Sequence, residues 1–456
     1  MTDTQPLEPQ PPEQVATGGR AELGAGGRTV GRILRSGWGL GDQGLSSLTN
    51  FALGVIVARN LSPKEFGAFS IAFSVYAIAL GFTRALTSEP LMVRFSAASF
   101  DDWKGGVRAA TGTSTLVGVI AGLACIASSQ FAGGALASAL LALGVTMPGL
   151  LLQDTWRFAF FSGHRGAAAF VNDLAWGVVF VLCVSLLVMS GRTSVWWLVM
   201  AWGGSGCVAG VLGMMQARAV PTPGRAASWT RQHVDLIPRF VGEFGITTLL
   251  AQVVIFAIGA IAGIAEVGAL RAGQLLLGPL NVIFLGVSLV GLPEGVRALR
   301  VSTANLRRKC VIWSAGLAAC AICVGIFGLL LPDRLGTALL GESWPAAQQV
   351  VLPLSIGLAG SGVILGAAIG LRALAAARLS LRARLSVAPL ILTGALAGAA
   401  FWGAQGAAVG FAIAYPMGSI IWWRHLRLGL REHDADSSFS TAQRVEADRA
   451  EGSRSA

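Results

Sequence analysis

The chain has 456 residues and a mass of 47.0 kDa, is 54% apolar and 12% charged, and has a mean hydropathy of +0.66. Soluble domains carry about 25% charged residues, so this composition excludes a water-facing surface and the two or three soluble domains that length alone would predict. At about 20 residues per span, twelve spans with their loops fill the chain and leave no separate catalytic domain.

Residues 1–31 hold prolines and glycines without an apolar run and read as a disordered tail. Acids and prolines precede any apolar stretch, so the start is not a secretory signal and the first span is an uncleaved anchor. Apolar runs then recur at about 38–58, 67–87, 109–129, 132–155, 171–190, 195–216, 240–262, 268–292, 311–331, 348–370, 387–403 and 406–423. Spanning strands would need alternating segments of about 10 residues, which are absent, so the spans are helices. Residues 218–238 form a basic, proline-containing linker, and 428–456 a charged, Ser-rich tail without periodicity. The expected fold is all-α and integral to the membrane: about twelve transmembrane helices in two six-helix lobes, 32–217 and 239–427.

With both termini in the cytoplasm, 28 of the 34 Lys and Arg residues fall on the inner side. Only Arg59, Lys64, Arg192 and Arg334 fall outside, and Arg84 and Arg271 lie within spans. The net charge of +11 thus reports orientation and contact with anionic lipid, not a nucleic-acid footprint.

The chain also echoes itself. Residues 41–48 read GDQGLSSL and residues 242–249 read GEFGITTL, an offset of 201. It holds to the next loop, where Glu65-Phe66-Gly67-Ala68 matches Glu266-Val267-Gly268-Ala269. This offset separates six spans from six, so the lobes enter the membrane in the same sense. They form a parallel repeat about a pseudo-two-fold axis along the membrane normal, and transporters of this kind bind substrate between the lobes.

Enzymatic motifs fail in turn, and no enzyme is expected. No lysine follows a glycine, which excludes a Walker A loop. Gly39-Leu40-Gly41-Asp42-Gln43-Gly44 spells a dinucleotide fingerprint, but no strand precedes it. All four histidines fall in loops or tail, and the largest outer loop is only Pro332 to Trp344. The cysteines, including Cys320 and Cys323 in mid-helix, read as small core residues.

Ionisable groups inside spans are the informative signal, because each costs a few kcal/mol there unless it faces protein or a wet cavity. Asp42 and Glu243 sit in the first helix of each lobe. Glu243 has Arg239 one turn earlier as an alternative partner, whereas Asp42 has none nearby and is the stronger candidate for proton or cation coupling. Arg84 and Arg271 suit the bidentate grip on a phosphate or diphosphate, with snorkelling to the interface as the bland alternative. Glu89-Pro90 with Arg94 closes helix 2 and Pro293-Glu294 with Arg297 closes helix 8, at gate or hinge positions.

GDQGLSSLTNFALGVIVARNLSPKEFGAFS from Gly41 to Ser70, TRALTSEPLMVR from Thr83 to Arg94, LLQDTWRFAFFSGHRGAAAFVNDLAW from Leu151 to Trp176 and LRALAAARLSLRARLS from Leu371 to Ser386 carry a resemblance. The chain resembles bacterial polysaccharide flippases of the MOP (multidrug/oligosaccharidyl-lipid/polysaccharide) exporter superfamily. The resemblance implies a multi-pass protein of the bacterial plasma membrane that flips undecaprenyl-diphosphate-linked oligosaccharide by alternating access. It implies that Arg84, Arg94 and Arg271 hold the diphosphate; Asp42, Glu243 and Glu89, from their own positions, are the coupling or gating candidates. No cofactor is expected beyond a coupling proton or sodium ion. Membrane lipids, a polysaccharide polymerase and glycosyltransferases are the expected partners. The rivals are a cation-coupled small-molecule exporter on the same fold and a non-transporting scaffold for glycan-assembly enzymes.

Overall fold

The computed structural model describes residues 47–452, which form helices and no strand. The first lobe comprises α1 (residues 47–60), α2 (Pro63–Phe95), α3 (Phe100–Ser129), α4 (Gly134–Ser162), α5 (Gly166–Met189) and α6 (Val195–Ala217). A short linker helix, α7 (Ala226–Gln232), leads to α8 (residues 237–262), α9 (Ile264–Leu276), α10 (Gly278–Val301) and α11 (Thr303–Leu329). A short α12 (Asp333–Leu340), then α13 (Trp344–Ala373), α14 (residues 377–401) and α15 (residues 404–452) complete the second lobe. Among the described residues, nine segments are long and apolar enough to cross a membrane by themselves, and the last of them divides at Trp402 and Gly403. With α1 and α8, the described residues make twelve passages, as the apolar runs predict.

Local chemistry sets the helix ends. Ser62 and Glu65 form a reciprocal capping box at the start of α2, and Ser99 and Ser302 cap α3 and α11. Gly403, at φ +56°, makes the turn between α14 and α15, where the Glu266 carboxylate accepts the Ala404 N–H at 2.6 Å. Closely packed glycines join neighbouring helices, as where Gly122 meets Gly144 and Gly398 meets Gly406.

The two lobes touch symmetrically. A side chain at Gly67 of α2 would strike the Ile264 carbonyl, and one at Gly268 of α9 would strike the Pro63 carbonyl. Gly67 and Gly268, like Pro63 and Ile264, are mates at the offset of 201 read from the sequence. Such reciprocal contact is what a two-fold axis between the lobes produces.

Three features depart from expectation. The Glu89-Pro90 pair does not close the second span, because α2 runs on to Phe95 through a π-turn at Arg84–Ser88. Pro90 lacks an N–H and its ring crowds the carbonyl of Leu86, and the wider turn gives that carbonyl room. The eighth span is not continuous either: it breaks at Leu277 between α9 and α10, where the freed backbone lines a cavity. Residues 428–452 continue α15 rather than forming an aperiodic tail; no proline follows Pro416, and Ala, Arg, Glu and Gln favour helix. The tail 1–31 lies outside the described residues.

Candidate functional site

Two cavities lie between the lobes, one after the other along α2. Phe73 faces the first, about 9 Å along the helix from Gly67 at 1.5 Å per residue, and Arg84 the second, about 25 Å along.

The first cavity has a volume of about 550 Å³. Arg271 enters it from α9, donating to the Gln274 Oε1 at 3.2 Å, with its guanidinium 5.1 Å from the centre of the Phe73 ring. Asn50, Gln252, Gln274 and Asn281 add amide groups to the lining, and no described lining residue is a carboxylate. The cavity therefore has one fixed positive charge and several neutral donors and acceptors. That combination receives an anion bearing hydroxyl groups.

The second cavity, about 410 Å³, gathers Arg84 and Glu89 of α2 with Phe240, Glu243 and Phe244 of α8. Three of the residues singled out in the sequence thus come together here. Arg84 is engaged from behind: Nε and Nη2 donate to the two oxygens of Asp154 on α4 at 2.9 and 2.6 Å, and the guanidinium lies over Phe158 at 5.2 Å. A turn further along α4, Arg157 stands 3.5 Å from Asp173 of α5. The Gln153 amide donates to Asp173 and Asn172, and the Asn172 amide to Gln216 of α6. The two arginines and two aspartates balance, as buried ions must.

Arg94 faces neither cavity. It is exposed at the end of α2 and donates to both oxygens of Asp235 at 2.8 Å and to the Gln232 carbonyl at 2.9 Å, tying the linker to the first lobe. Asp42 lies outside the described residues.

No family model matches this sequence, and no curated protein does. Solved structures do. An inward-facing multidrug resistance MATE transporter of the MOP superfamily superposes with a TM-score of 0.63 at 13% identity, over 85% of this chain and 94% of that one. The chain has the MOP-transporter fold. An inward-closed lipid II flippase, MurJ, gives 0.61 at 12% identity, over 88% of this chain and 87% of its own. An outward-facing MATE transporter gives 0.55 at 14% identity, over 88% and 95%.

Sequence reading missed Asp154, Arg157 and Asp173. It ended the fourth span at 155 and assigned Arg157 to a loop, whereas α4 continues to Ser162. The signal was present: Gln153-Asp154 and Asn172-Asp173 are the polar pairs of two apolar helices.

Proposed function

We propose that the protein is a flippase for a lipid-linked oligosaccharide bearing a diphosphate, which it moves across a bacterial plasma membrane by alternating access between its lobes. One observation carries this reading: Arg271 stands in the cavity between the lobes with no described carboxylate beside it. A cationic drug would meet repulsion there, whereas a diphosphate finds a guanidinium and the attached sugars find amides. Arg84 and Arg94 have less support as anion holders, since Asp154 and Asp235 already occupy them. Glu89 and Glu243 are the groups we assign to coupling with a proton or sodium ion, because they line one cavity from opposite lobes.

The test is translocation of a diphosphate-linked oligosaccharide lipid in proteoliposomes. Arg271→Ala should abolish flipping and Arg271→Lys should keep part of it. Unimpaired flipping in Arg271→Ala sinks the assignment of the site. A null mutant with drug sensitivity and intact surface polysaccharide sinks the substrate class.

A further inference from the structure

The linker does more than join the lobes. Trp229 of α7 is 1% exposed, and its indole N–H donates at 3.0 Å to the carbonyl of Leu86, inside the π-turn of α2. This is the carbonyl that Pro90, four residues on, cannot serve. The Trp229 ring lies 5.9 Å from Phe95 at the end of α2 and 4.0 Å from His233, whose Nδ1 donates to the Trp229 carbonyl. On either side of His233, Arg94 holds the Gln232 carbonyl and the Asp235 carboxylate. The linker is therefore clamped along the lower part of α2, and its only side-chain hydrogen bond into the π-turn, among the described residues, comes from Trp229.

We propose that Trp229 is a positioning residue that holds the π register of α2 and thereby aims Arg84 at Asp154. The reasoning is geometric. A π-turn places one extra residue in the helix, so its collapse to α geometry rotates one side of the turn against the other by about 100°. Both sides of α2 are fixed: Gly67 packs on α9, and Leu91 is fully buried against the inner face of the first lobe. Collapse would swing Arg84 away from Asp154. Pro90 gives the Leu86 carbonyl no helical donor and the indole N–H takes that place; where residue 90 can donate, the helical bond draws α2 towards collapse and the indole competes with it for the carbonyl.

The pairing claim is independent of what is transported; only its consequence for flipping rests on the flippase reading. The experiment is a double-mutant cycle of Arg84→Gln and Asp154→Asn, read by thermal unfolding of the full chain in detergent. It is run in the wild-type, Pro90→Ala and Trp229→Phe/Pro90→Ala backgrounds. Restoring the N–H at position 90 lets α2 satisfy Leu86 by an ordinary helical bond, so the double background remains folded. We expect the Arg84–Asp154 coupling to persist in the wild type and in Pro90→Ala, where Trp229 still holds the carbonyl. It should vanish in Trp229→Phe/Pro90→Ala. Full coupling in that background would reduce Trp229 to a carbonyl partner and overturn the proposal, as would loss of coupling in Pro90→Ala alone. If coupling vanishes as expected but flipping is retained, Trp229 keeps its positioning role and the Arg84–Asp154 pair has no part in transport.

Discussion

Each lobe carries a half-buried arginine near the interface between them, and the two are held in opposite ways. In the first lobe Arg84 is neutralised by Asp154, one third exposed beside a carboxylate that is almost fully buried. In the second, Arg271 has an amide and an aromatic face but no described carboxylate in its cavity. A paired charge holds a structure together and is slow to give up its partner. An unpaired one in a cavity is poised for a ligand, because its desolvation is compensated only when an anion arrives. The repeat is faithful at Gly67 and Gly268, where the lobes touch, and diverges at the two arginines, whose mates at the offset of 201 are Leu285 and Ser70.

Removing the first lobe's counter-charge should give the largest effect. Asp154→Asn leaves the Arg84 guanidinium without an anion and should cost about 3 kcal/mol of stability, the low end for buried pairs because Arg84 is partly exposed. Thermal unfolding in detergent reads this, and Arg84→Gln/Asp154→Asn should recover most of the loss. The comparison is then inverted by Gln274→Glu, which supplies Arg271 with the carboxylate that Arg84 already has. Affinity for an anionic substrate should fall on the order of tenfold to a hundredfold, from about 1.5–3 kcal/mol for the charge-assisted contacts displaced. The unfolding temperature should stay the same or rise. If Gln274→Glu binds the substrate as well as wild type does, Arg271 is not its anion holder.

Outside the membrane the effects shrink. Arg94→Ala breaks an exposed pair with Asp235 and should barely move the unfolding temperature, measured by the same unfolding; a large drop would show that the linker is a structural keystone. Smallest is a pH effect at His233. Burial holds its pKa below the ordinary 6.5, with Arg94 acting in the same direction and the Trp229 carbonyl and Asp235 opposing. The unfolded chain therefore binds the proton first, so this contribution to stability is complete above about pH 6.5 and is lost as the pH falls towards the folded value. Wild type should lose more unfolding temperature than His233→Gln between about pH 7 and pH 5; equal losses would remove His233 from the account.

The twelve helices, the repeat and the arginines inside the membrane were legible in the sequence, because apolar periodicity and charge are local signals. What stands opposite each charge was not. Arg84 and Asp154 are 70 residues apart, and only the packing of α2 on α4 brings them together. Arg271 meets Phe73 across the lobe interface, a contact that no spacing within either lobe encodes. The π-turn escaped notice for a related reason: Pro90 reads locally as a helix end, and the indole that lets the helix continue comes from the linker, 143 residues beyond Leu86.

Glu266 and Ala404 bear on the order in which the molecule is assembled. The carboxylate lies at the start of α9, after the first helix of the second lobe, and the amide it caps is made 138 residues later. At ordinary translation rates it waits on the order of ten seconds without its partner. The outer end of the helix that touches both lobes is thus finished only when the last hairpin inserts. A chain truncated before Gly403 would carry every residue of the interlobe crossing and still lack the bond that completes its surroundings.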